Sequence, residues 1–96
     1  DEALAEVVVD LSNRPHLEWR AELPQGRVGQ FDTELVHEFM WKLALEGRFN
    51  LHVLIHYGRN THHMIEAAFK ALGRALDQAT LLDPRVKGVP STKGLL

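Results

Sequence analysis

Hydrophobic positions along this chain switch between a period of two and a period of about 3.6, and each switch marks an element. Residues 6–11 (Glu-Val-Val-Val-Asp-Leu) form a β-branched run that closes on the turn signal Ser12-Asn13-Arg14-Pro15. Residues 16–23 then alternate. Leu17, Trp19, Ala21 and Leu23 share one face, and His16, Glu18, Arg20 and Glu22 share the other, which predicts a strand with one wet side. Pro24 to Gly29 reads as a loop. Asp32 or Thr33 can cap a helix running to Gly47, with Leu35, Val36, Phe39, Met40 and Leu43 at helical spacing. Residues 50–57 alternate again, with Leu51, Val53, Ile55 and Tyr57 opposite His52, Leu54 and His56. Asn60 or Thr61 then caps a second helix to about Thr80. Its buried stripe is Ile65, Ala68, Phe69, Leu72, Ala75, Leu76 and Ala79, and its polar side is His62, Glu66, Lys70, Gly73 and Asp77. Leu81 to Leu96 show no period and read as an ordered tail or loop.

The order β-β-α-β-α predicts a single α+β domain over residues 1–96, a ββαβα sandwich with both helices on one face of a small sheet. Ninety-six residues bury roughly 60–68% of their unfolded surface, enough for a core with little stability in reserve. A short sheet with bare edges is expected to pair with a second copy or a sister half.

Composition narrows the classes of partner. The chain is 45% apolar and 25% charged with net charge −2, and it has no Lys/Arg-rich run. Both facts argue against binding nucleic acid or anionic membrane through a bulk basic surface. No apolar run approaches membrane length and no signal peptide is visible. With zero cysteines there is no thiolate metal site and no disulfide framework, and a cytoplasmic protein is the expectation.

Six histidines remain to be explained, four of them within residues 52–63. His62 and His63 are adjacent at a helix start, and Glu66 falls angularly between them, four residues after one and three after the other. Two neutral imidazoles and a carboxylate suit manganese, iron, nickel or zinc rather than the all-oxygen shells of calcium or magnesium. Neighbouring side chains on a helix diverge, so this one feeds two metals more readily than it chelates one. The positive end of the helix dipole disfavours imidazolium and keeps both rings ready to ligate. Three ligands on divergent vectors leave each coordination sphere to be finished elsewhere, which points to an intersubunit site. The plain alternative is a polar helix start whose histidines face water. Lys70 one turn on reads first as an i,i+4 partner of Glu66. Val89 to Gly94, with Ser91 and Lys93, could wrap an anion or be an ordinary polar tail, and the Arg14 guanidinium could grip a phosphate or be an exposed turn residue.

Four motifs in order carry a resemblance. They are Asp10-Leu11-Ser12-Asn13-Arg14-Pro15, Phe31-Asp32-Thr33-Glu34-Leu35-Val36, Gly58-Arg59-Asn60-Thr61-His62-His63-x-x-Glu66-x-x-x-Lys70-Ala71 and Pro90-Ser91-Thr92-Lys93-Gly94. Over nearly its whole length the chain resembles the C-terminal half of imidazoleglycerol-phosphate dehydratases, enzymes of histidine biosynthesis.

The resemblance implies one of two fused ββαβα repeats, each with a His-His-x-x-Glu helix, assembled into a large homo-oligomeric shell. It also implies two Mn2+ ions per complete site, held between subunits. The implied reaction is dehydration of a phosphorylated imidazole substrate, imidazole glycerol phosphate, to imidazole acetol phosphate, through an imidazolate that expels the hydroxyl. By motif, His62, His63 and Glu66 would be metal ligands, Glu66 also the catalytic proton carrier, and Arg14, Lys70, Ser91 and Lys93 the phosphate contacts. Glu38 stands where many members place a further ligating histidine, with the alternative of a solvated helix glutamate. His52, in a shared strand motif, reads as structural rather than ligating. Asn13 replaces the family's usual glycine, and Asn tolerates the left-handed backbone that glycine permits.

Only one His-His-x-x-Glu helix is present, so the isolated chain is expected to be inactive without the N-terminal repeat or further copies of itself. Two other readings stand beside this one. The first is a non-enzymatic, self-assembling metal-binding half-domain. The second is a metal-dependent hydrolase of phosphorylated substrates, although no nucleophile motif supports it.

Overall fold

The structure is a computed structural model that describes residues 1–81. The order is β1 (Leu4–Asp10), β2 (His16–Arg20), β3 (Arg27–Val28), β4 (Phe31–Asp32), α1 (Glu34–Gly47), β5 (Asn50–Tyr57) and α2 (Thr61–Thr80). The main sheet runs β1-β5-β2. β1 lies antiparallel to β5, pairing Val7 with Val53 and Val9 with Leu51. β2 lies parallel to β5, pairing Leu17 with Leu51 and Trp19 with Val53.

These registers put most apolar positions of the three strands on one face, where both helices cover them, while Val8 and Leu54 fall on the other. Leu51, Val53 and Ile55 of β5 are buried there against Val36, Met40 and Ala44 of α1 and Met64, Ala68 and Leu72 of α2. The α+β sandwich with both helices on one side is the predicted architecture. The opposite face carries Glu6, His16, Glu18, Arg20, His52 and His56. Glu6 accepts from His56 Nε2 at 3.1 Å, and Glu18 accepts from Arg20 Nε at 2.7 Å.

Local structure departs from the sequence reading in several places. The segment read as a loop holds a second, two-stranded sheet of β3 and β4, whose two-residue strands are too short to show a period. β2 ends at Arg20, its pairing with β5 ending opposite Leu54, while Ala21 and Leu23 still pack against the core. Asp32 makes the side-chain contact at the start of α1, accepting from the Glu34 N–H at 2.9 Å. The Thr33 hydroxyl turns away and donates to the Pro24 carbonyl.

At the far end of α1 the left-handed residue is Arg48 (φ 54°). Gly47 is needed for a different reason, since a Cβ there would collide with the buried Phe49 ring. Leu35 and Phe39, expected in the core, are 46% and 47% exposed and leave an apolar strip on the outer surface of α1. Met64, absent from the predicted α2 stripe, is buried instead.

Candidate metal centre

The strand-to-helix junction after β5 brings the imidazole pair into place. Gly58 lets the chain pass over Met64, because a Cβ on Gly58 would collide with that side chain. Asn60, one of the two predicted caps, then caps α2, its Oδ1 accepting from the His63 N–H at 3.1 Å. His62 and His63 leave the first turn with ring centroids 6.3 Å apart and planes at 73°.

The two rings face different surroundings. His62 lines an apolar hollow with Val28, Phe31, Ile65 and Phe69. His63 lines a smaller one of about 110 Å³ with Asp1, Ala3, Ala67 and Lys70. Glu66 lines both, so the carboxylate stands between the imidazoles as the helical spacing requires. Its Oε2 lies 3.1 Å from His62 Nε2 and its Oε1 lies 2.8 Å from Lys70 Nζ. The Lys70 ammonium, then His62, holds the Glu66 carboxyl below its usual range.

One member of this cluster went unseen in the sequence. Glu2 Oε2 accepts from the backbone N–H of Arg59 at 2.7 Å and of Asn60 at 3.1 Å, while its Oε1 lies 2.6 Å from His63 Nδ1. The Arg59 N–H, the His63 ring and the Asn60 N–H lower the Glu2 carboxyl to about 2. The register pairs Leu4 with Tyr57 and so carries Glu2 alongside Arg59. The β1–β5 pairing was therefore the signal that could have found it.

The donors fit a borderline divalent cation in kind, as two imidazoles flanking an ionised carboxylate. Among the described residues, however, no group of three or more histidines and carboxylates could by itself hold a metal ion. Glu38 is on the exposed side of α1. It lines a third hollow with Leu35, Phe39 and Lys42, which shares Phe31 and Phe69 with the hollow of His62. His52 lies on the sheet face away from the helices, its ring centroid 6.3 Å from that of His16.

The family model for imidazoleglycerol-phosphate dehydratase matches residues 1–76. The chain belongs to that family. It is 78% identical over all 96 residues to imidazoleglycerol-phosphate dehydratases of Geobacillus sp. (strain WCH70) and Bacillus subtilis (strain 168), covering 49% and 50% of them. The chain spans about half the length of the curated relatives it matches. Among solved structures, the Staphylococcus aureus dehydratase superposes with a TM-score of 0.83 at 49% identity, over 86% of this chain and 49% of that one. The Pyrococcus furiosus enzyme, solved in complex with (S)-C348, gives 0.84 at 43% identity, over 100% of this chain and 52% of that one.

The phosphate contacts that the dehydratase motifs imply do not all meet at α2. Lys70 is at the cluster, bound to Glu66. Arg14 is not. It lies in the turn between β1 and β2, where Asn13 takes the left-handed conformation (φ 59°). Arg48 Nε donates to Asn13 Oδ1 at 2.9 Å, and Asn50 Nδ2 donates to the Arg14 carbonyl at 2.7 Å. Asn50 opens β5 and the histidine pair follows its other end, so the eight-residue strand separates the two by about 23 Å. Ser91 and Lys93 lie outside the described residues.

Proposed function

We propose that this chain supplies half the ligands of a dehydratase site acting on imidazole glycerol phosphate in histidine biosynthesis, and that the site closes only against another repeat. The carrying observation is the divergence of His62 and His63 around a shared Glu66. Family membership supports the reaction class, and the chain's half-length coverage of its relatives supports the need for a sister half or further copies. The exposed strip of Leu35 and Phe39 offers apolar surface for such a partner.

In this reading His62, His63 and Glu66 hold manganese, with Glu38 a further carboxylate donor from α1. Cations held by these residues would supply Lewis-acid stabilisation of negative charge on the substrate. The chain's own groups do the rest. Glu66, kept ionised by Lys70, is available to accept a proton, the role of a positioned carboxylate base. Its lowered pKa makes it a weak base, and Lys70 sets that limit. A phosphate arriving nearby would compete with Glu66 for the Lys70 ammonium, and a freed Glu66 is the stronger proton acceptor. Arg14 would serve the phosphate of a site built by a different chain.

The test supplies manganese to the chain alone and to the chain with its missing half. Dehydration is expected only in the second case. In the complete enzyme, His63→Ala and Glu66→Gln should each lower kcat by at least about 10²-fold. Equal turnover by the isolated chain, or turnover untouched by His63→Ala, would contradict the proposal. That no closed metal shell forms among the described residues also fits a metal-assembled module without activity. That reading requires manganese-driven association and no dehydration even with the sister half present.

A further inference from the structure

The geometry points to Glu2 as a positioning residue that fixes His63 in its Nδ1–H form and leaves the Nε2 lone pair free for a cation. This rests on the proposed role of His63 as a metal ligand and adds a residue from the segment before β1. Glu2 is bound on both oxygens. Oε2 takes two backbone N–H groups, from Arg59 and Asn60, which can only donate. Oε1 faces His63 Nδ1 at 2.6 Å, a charge-assisted distance. An ionised carboxylate only accepts, so the proton of that contact belongs to Nδ1. The neutral ring then carries its lone pair on Nε2. The nearest described carboxylate oxygen to Nε2 is Asp1 Oδ2 at 3.9 Å, too far for a hydrogen bond.

His62 is engaged the other way round. Its Nε2 faces Glu66, so its free nitrogen is Nδ1. Adjacent histidines on one helical turn thus present opposite ring nitrogens. For His63 the choice is made by a residue 61 positions away. A ligating histidine whose other nitrogen donates to a carboxylate is held in orientation and made more basic, and losing that carboxylate typically weakens metal affinity about 10–100-fold.

Glu2→Gln is the discriminating variant. Its single carbonyl oxygen must serve the two backbone donors, so its NH2 group is left facing His63 Nδ1. That nitrogen must then accept, and the ring proton moves to Nε2. The experiment is magic-angle-spinning NMR of 15N-histidine in the metal-free full-length protein, with His63 assigned by its loss in His63→Asn. The manganese affinity of each protein is read by electron paramagnetic resonance of the free ion. The parent should show Nδ1–H, and Glu2→Gln should show Nε2–H with manganese bound about 10–100-fold more weakly. Glu2→Ala, which strands all three donors, should show the tautomer mixture of a free imidazole and serves if Glu2→Gln folds poorly.

A parent ring protonated on Nε2, or a Glu2→Gln ring still protonated on Nδ1, overturns the assignment whatever manganese does. Unchanged manganese affinity after the tautomer has moved overturns the link between Glu2 and the cation. Manganese affinity retained in His63→Asn removes the ligand reading itself, an outcome separate from the tautomer result.

Discussion

The two ends of β5 are built on different principles. At its start, the Arg14 turn is clamped by Arg48 and Asn50 while its guanidinium stays exposed. The clamp acts on backbone and on Asn13, and leaves the charged group to reach outward. At its finish, Glu2 holds the His63 ring, and His62 and Lys70 hold the Glu66 carboxylate, so the contacts reach the candidate side chains themselves. One end orders a scaffold that presents a cation with no acidic partner among the described residues. The other pre-organises the candidate ligands and holds an ionised carboxylate among them. A rigid strand about 23 Å long keeps the two from meeting within one chain, so an Arg14 that helps bind substrate does so at a site whose imidazoles belong to another copy or repeat.

The contrast can be broken from the middle. Leu51→Ala removes a fully buried side chain of the strand that spaces the two ends. It should destabilise the protein by about 2–5 kcal/mol, read by denaturant unfolding, with both ends loosening together in hydrogen exchange. Loosening at one end alone would show that β5 does not couple them. Arg14→Ala sharpens the contrast from one side. It should raise KM about 10-fold or more, the loss of a hydrogen bond to a charged group, while leaving manganese affinity unchanged. A fall in manganese affinity would mean that the ends are not separate.

Much of this architecture was legible in the sequence because its signals are local. The alternation over residues 50–57 gave the central strand and its buried face, and Asn60 announced the start of α2. The helical spacing of His62, His63 and Glu66 gave the divergence that the two hollows bear out. Asn13 stands in the left-handed conformation that its replacement of a glycine suggested. What escaped was non-local or too short. Two-residue strands such as β3 and β4 carry no periodicity. Met64 sits one residue before the apolar stripe that was read, and its burial follows from Gly58 passing close above it. Glu2 looks like an ordinary exposed acid until β1 is laid antiparallel against β5. Leu35 and Phe39 have the right spacing for a core, but they stand on the exposed side of α1, where the Phe39 ring meets Phe69 of α2 at 5.3 Å.

The central claim is that His62 and His63 serve separate cations whose shells another polypeptide completes. Anomalous scattering at the manganese edge, from crystals of the full-length protein grown with that metal, tests it most directly. The account predicts distinct peaks beside the two rings, with Glu66 between them and the remaining ligands drawn from a neighbouring chain or repeat. Rings without an adjacent peak, or a single ion fully coordinated by residues of this chain alone, would contradict it.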